Sequence, residues 1–260
     1  MISKEWIDAA ANRIGGKIIQ TPCTFDPEIN AYLKWENHQK TGSFKLRGAI
    51  NKVLALEPWE QERGLVAASA GNHGLGVAYA ARLVGTKAIV YIPENSVINK
   101  EKAMMEFGAK VVKIDGGFSI AEKEAQLSAI KRGATWVSPY NDLQVIAGQA
   151  TLGLELIDQI NPFDADACLV PVSGGGLIAG VGLAFQYHNQ RPLLIGVQSE
   201  NSAYFHSLYH TGTQKNILET MSIADGLSGA VEKKSITIPL VRNLLDDFIL
   251  VSEKEIEHAI

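Results

Sequence analysis

The sequence is poor in cysteine: Cys23 and Cys168 are the only two in 260 residues. That excludes a disulfide scaffold, and the pair does not form a metal-ligand set, so a reducing cytoplasm is the expected compartment. It also lacks clusters of Lys and Arg. With 24 basic against 28 acidic residues and a net charge of -4, nucleic acid and anionic membranes are poor partners, and a small molecule is the expected ligand. The N-terminal stretch mixes Lys4, Glu5, Asp8 and Arg13 into a helical pattern without an apolar run, which argues against a signal peptide or a spanning helix. No repeat and no low-complexity tract interrupts the chain. What is present is 46% hydrophobic residues, enough for one large domain or two modest ones.

Short Val- and Ile-rich runs alternate with segments of helical period, the pattern of parallel strands buried on both faces with crossover helices. Strands are predicted at 65–69, 86–92, 110–114 and 135–137, then at 167–172, 192–198 and 248–251. Helices are predicted at 75–84, 100–107, 120–132, 145–160, 177–187 and 204–209. Pro93 is expected to stop a strand and Pro162 a helix, Gly108 and Gly133 to close helices, and Ser252 to cap the last one. The class is α/β with two lobes, and clefts at the carboxyl ends of such strands bind ligands.

Three segments could carry chemistry. In Thr41 to Ala49, Lys45 stands at a helix start, where burial and the positive helix end lower a lysine pKa toward the nucleophilic range; for a single lysine, plain solvation competes with that reading. Ser69-Ala70-Gly71-Asn72-His73-Gly74, between a strand and a helix, forms an anion nest fit for a carboxylate. His73 has no second ligand at metal spacing and reads as a packed histidine. Ser173-Gly174-Gly175-Gly176-Leu177 also follows a strand and opens a helix, as a phosphate cradle does. Gly174, Gly176 and Ala179 also satisfy a dinucleotide pattern, with Glu200 as its acid. A dehydrogenase has no use for Lys45 plus a second anion nest, whereas a phosphate-bearing aldehyde uses all three segments.

Together these motifs resemble the fold-type II pyridoxal-phosphate-dependent enzymes, specifically the threonine/serine dehydratase group. The resemblance implies the tryptophan synthase beta-like fold, with each lobe an open, mostly parallel twisted sheet flanked by helices. Residues 1–62 and 140–260 would form a large cofactor-binding domain, and 63–139 a small mobile domain that closes over substrate. It implies pyridoxal 5'-phosphate as cofactor, with Lys45 as the catalytic residue that condenses with it. Phe44 would pack on the ring, Asn72 bond its hydroxyl, Ser173, Gly174, Gly175, Gly176 and Leu177 hold the phosphate, and Gly226 line the cofactor. Ser69, Gly71, Asn72 and His73 would receive the carboxylate of an amino acid substrate. The implied activity is conversion of L-threonine or L-serine to a 2-keto acid and ammonia. Relatives are often homodimers.

The sequence departs from that pattern in three places. Ala70 replaces a serine whose hydroxyl serves the opposite face of Cα in relatives that racemise serine, so elimination is favoured over racemisation. The sequence ends at Ile260, before the Ser or Thr that bonds the pyridine nitrogen in the family. Glu200 matches one ligand of a divalent cation site found in some relatives, but His206 stands at the aspartate position, so no metal site is expected. The alternatives are a serine racemase, a β-replacement synthase, or a shortened, non-catalytic binder of the cofactor.

Overall fold

The computed structural model describes residues 2–94, 96, 98–160, 164–188 and 191–260. It divides into two units, one of residues 5–149 and the other of residues 2–4 with 150–260.

The unit of residues 5–149 opens with α1 (Lys4–Ile14) and a two-stranded antiparallel hairpin, β1 (Cys23–Asp26) and β2 (Ala31–Lys34). Next come α2 (Lys45–Leu54) and α3 (Pro58–Arg63), and then β3 (Leu65–Ala68), α4 (Asn72–Val84), β4 (Ala88–Pro93), α5 (Ile98–Glu106), β5 (Lys110–Ile114), α6 (Phe118–Arg132) and β6 (Thr135–Trp136). The four strands make one parallel sheet in the order β5-β4-β3-β6. Every residue of β3 is buried, which is why it reads as an unbroken apolar run. Leu65 and Ala67 pack with Leu46, Ile50 and Val53 of α2 and Val77 and Ala80 of α4. Val66 and Ala68 face the other way, onto Ala125 and Ala129 of α6. Strand alternation thus sends neighbouring residues to helices on opposite faces.

Glycines let the helices of this unit approach closely. A Cβ on Gly148 of α7 (Leu143–Gln159) would lie 2.6 Å from both the Arg47 carbonyl oxygen and the Gly48 Cα. One on Gly76 of α4 would lie 3.3 Å from the backbone carbonyl of Lys45. The start of α2 is therefore held backbone against backbone. Arg47, fully buried, sends Nε to Glu36 Oε2 and Nη2 to Glu36 Oε1, both at 2.7 Å. Glu36 Oε1 also accepts Thr21 Oγ1 at 2.5 Å.

In the other unit, β7 (Ala167–Pro171), α8 (Gly176–Phe185), β8 (Leu193–Ser199), α9 (Tyr204–Thr211), α10 (Thr237–Leu244), β9 (Asp247–Val251) and α11 (Glu253–Ala259) build a parallel sheet of order β7-β8-β9. Helix α8 is apolar almost all round and correspondingly buried from Ile178 to Phe185. Ser252 caps α11 as predicted: its Oγ accepts from Glu255 N, and Glu255 Oε2 accepts from Ser252 N at 2.7 Å.

The α/β alternation stands, with shifts of one to three residues at most ends. Pro93 does not follow the end of β4 but forms it, opposite Ile114, because a last strand residue has no further ladder bond to donate. Gly133 closes α6 in the left-handed conformation. Pro162 lies outside the described residues. The hairpin, α3 and α10 carry no prediction; Pro58 and Pro239 sit within the first turns of α3 and α10, where a missing N–H costs nothing. No helix among the described residues is long and apolar enough to cross a membrane.

Candidate active site

In both sheets the strands are parallel, so the loops that leave their carboxyl ends gather along one edge. In the sheet of residues 65–136, β3 lies between β4 and β6. The loop after β3, Ser69 to Gly74, is therefore flanked by the segment leaving β6, 137–139, and by the start of α5, the helix that follows β4.

Lys45 opens α2, with Phe44 as the preceding cap residue. Its side chain keeps some exposure, but the ammonium sits deep in the protein, 5.2 Å from the centre of the Phe44 ring, and donates to the carbonyl oxygen of Pro139 at 3.0 Å. No carboxylate pairs with it among the described residues. Loss of hydration lowers its pKa to about 8. Two residues earlier, the buried Ser43 hydroxyl has no hydrogen-bond partner among the described residues.

His73 is buried in the first turn of α4, and its Nε2 lies 2.8 Å from the carbonyl oxygen of Val137. Burial first, and the Lys45 charge second, push its pKa down to about 3. The ring is therefore neutral, and because a carbonyl can only accept, Nε2 carries the proton. Ser69 is also buried, and its Oγ accepts from Gly71 N at 3.1 Å. One amide expected to meet a ligand is thus engaged within the loop. Asn72 is exposed. The amides of Asn72, His73 and Gly74 belong to the first turn of α4 and have no partner in the helix ladder. A Cβ at Gly74 would come within 2.8 Å of both the Ser69 carbonyl oxygen and Met104 Cε, so the loop closes tightly there. Within this unit the structure brings together Phe44, Lys45, Ser69, Gly71, Asn72 and His73.

The residues Ser173, Gly174, Gly175, Gly176 and Leu177 lie in the other unit, between β7 and α8. Gly175 caps α8 with φ +82°, and a Cβ there would stand 2.6 Å from Phe205 Cε2; both conformation and space require glycine. Thr237 Oγ1 donates to the Gly174 carbonyl oxygen at 2.7 Å and shares a 2.7 Å hydrogen bond with Ser235 Oγ. The open first turn of α8 has no side-chain cap, which suits it to a phosphate dianion. Gly226 is exposed in a short turn, Asp225–Leu227. Its loop is held by Glu253, which accepts Ser222 Oγ, Ile223 N and Ser199 Oγ, each at 2.7 Å. Those three bonds, Ser199 first, hold the Glu253 carboxyl below its usual range.

Sequence reasoning missed Pro139, Thr237 and Glu253. A backbone carbonyl leaves no mark on residue type, and a distant threonine or glutamate announces no partner. No group of three or more His, Cys, Asp or Glu converges on a metal position among the described residues. A surface groove of about 560 Å³ beside Trp59, Arg63, Ile130 and Trp136 contains none of the candidate residues.

The residues present fit pyridoxal phosphate. In one unit a deep lysine has no counter-ion among the described residues and follows a buried hydroxyl that has no partner among them, as condensation with an aldehyde requires; in the other an uncapped glycine-rich helix start suits a phosphate.

The family model for "Pyridoxal-phosphate dependent enzyme" matches residues 14–260. A catabolic L-threonine dehydratase of Staphylococcus aureus is 43% identical over 230 residues, covering 88% of this chain and 66% of that protein. The chain thus spans just under two thirds of the length of such curated relatives. Among solved structures, a serine racemase from Dictyostelium discoideum superposes with a TM-score of 0.89 at 33% identity, over 99% of this chain and 84% of that one. The processed threonine deaminase isoform 2 of Solanum lycopersicum gives a TM-score of 0.90 at 31% identity, over 98% and 72%.

Proposed function

The chain belongs to the family of pyridoxal-phosphate dependent enzymes, and on that premise we propose that it is a lyase converting L-threonine or L-serine to a 2-keto acid and ammonia. Lys45, Phe44, Asn72, the Ser173 to Leu177 loop and Gly226 are the residues that would hold the cofactor. When bound, pyridoxal phosphate supplies an electron sink for charge developing at Cα.

The observation that carries this reading is the state of Lys45. Its only hydrogen-bond partner among the described residues is the neutral Pro139 carbonyl, and with a pKa of about 8 about one amine in ten is neutral at pH 7, against fewer than one in a thousand for an ordinary lysine. Such an amine can take a proton from Cα and return it. Neutral His73 does not compete for that proton, and its bond to Val137 fixes the ring. Ser69, Gly71, Asn72 and His73 are assigned to the substrate carboxylate, and residues 63–139 to the domain that closes over substrate and excludes water. Similarity to threonine dehydratase supports elimination as the outcome. Ala70 offers only a methyl group, with no proton for the opposite face of Cα, which weighs against racemisation.

The test is reconstitution with pyridoxal phosphate followed by incubation with L-threonine and with L-serine. A visible absorption band and a 2-keto acid are expected, without D-serine, and Lys45→Ala should abolish the band and lower product formation at least about a thousandfold. A band that survives Lys45→Ala, or D-serine as the main product, would overturn the assignment.

A further inference from the structure

β4 neighbours β3, so the helix that follows it, α5, starts beside the loop that follows β3. Lys100, in the first turn of α5, leans over that loop. A Cβ built on Gly71 would lie 3.4 Å from Lys100 Nζ and 3.7 Å from its Cδ, so the ammonium stands where a side chain at position 71 would project. Among the described residues no hydrogen bond or ion pair is formed by Lys100. The neighbouring carboxylate of Glu101 is occupied by Lys113, at 2.8 Å. Gly71 itself caps α4 without any side-chain acceptor.

A cation without a partner among the described residues, beside the loop that opens α4 and its free first-turn amides, puts two positive features at one loop. Both favour an anion there, and an alkyl or hydroxyl group would gain little from either. We propose that Lys100 is a substrate-binding residue whose ammonium pairs with the α-carboxylate received by the Ser69 to His73 loop. This rests on the reading of that loop as the carboxylate site. It gives Lys100 a task separate from that of Lys45: a fixed charge that sets affinity and takes no part in proton transfer. Lysine suits the task as a compact point charge on a flexible stem.

The experiment uses the full chain loaded with pyridoxal phosphate, with Lys100→Met and Lys100→Arg beside the unaltered protein. For L-threonine, Lys100→Met should raise KM about tenfold with kcat within about twofold, and Lys100→Arg should recover most of the loss. Added salt should raise KM for the unaltered chain and leave that of Lys100→Met unchanged. Calorimetric titration with L-threonine and with L-threoninamide, which lacks the carboxylate, should show a loss in Lys100→Met for the acid alone. Turnover with equal KM in both proteins, or equal weakening of acid and amide, would overturn the role of Lys100 and leave the lyase reading intact. Lys100-dependent binding of L-threonine without product would overturn the lyase reading alone, and absence of both binding and turnover in the unaltered chain would overturn both.

Discussion

Lys45 and His73 are anchored two residues apart on one stretch of backbone, the amine on the Pro139 carbonyl and the imidazole on that of Val137. Their charges are coupled: the lysine ammonium adds to burial in keeping the ring uncharged. Both carbonyls belong to the segment leaving β6. The position of that short strand beside β3 therefore sets the place of the Lys45 amine and the protonation of its neighbour together.

Acid should destabilise the protein through His73. Its folded pKa of about 3 lies below the ordinary 6.5, so between these values the unfolded chain binds a proton that the folded one refuses. Stability contributed by the neutral ring is complete above about pH 6.5 and is lost as pH falls toward 3. At about 1.4 kcal/mol per pH unit, urea unfolding should show about 2.5 kcal/mol less pH dependence between pH 7 and pH 4.5 in His73→Gln than in the unaltered chain. Parallel profiles for the two proteins would contradict a buried neutral ring.

Gly148→Ala should cost about 2–4 kcal/mol of stability in urea unfolding, because the new methyl would overlap the backbone of Arg47 and Gly48. Gly117→Ala is the matching control. Gly117, the cap residue of α6, has φ -82°, and a Cβ there meets nothing within 4 Å; its replacement should cost no more than about 1 kcal/mol, the difference between glycine and alanine at a cap.

Glu253→Ala should release the loop that carries Gly226, since three hydrogen bonds converge on that carboxylate. Hydrogen exchange at Ile223 and Ala224 should accelerate about tenfold, and affinity for pyridoxal phosphate should fall. In the unaltered chain the protection of those amides, taken relative to their intrinsic exchange rate at each pH, should fall in acid. The folded carboxyl titrates below its ordinary 4.5, so the tether is complete above that value and is lost as pH falls through the lowered one. Exchange rates in this loop that are the same with and without Glu253 would remove its anchoring role.

The parts of the fold legible in the sequence were those whose physics is local. Lys110–Ile114 reads as a strand and is one, and Leu65–Ala68 announces double-sided burial by its unbroken apolar run. The glycine-rich motifs lie at strand ends because only such turns can pass from a buried strand straight into a helix. The hairpin of residues 23–34 was not legible, because Cys23 to Asp26 and Ala31 to Lys34 are too short and too exposed to show an alternation. Long-range partners were also invisible. Lys45 meets Pro139 across 94 positions, and the hydroxyl of Thr237 meets Gly174 across 63. Composition contains no trace of either.

The ion pair of Arg47 with Glu36, fastened to Thr21, bears on how substrate gets in. Separating such a desolvated pair costs about 3–5 kcal/mol, so the stretch around Thr21 and Glu36 is riveted to the helix that presents Lys45 and will not swing away as a gate. Traffic to the amine must pass by some other route, and a crosslink that joins positions 36 and 47 in place of the ion pair should leave the rate of entry untouched.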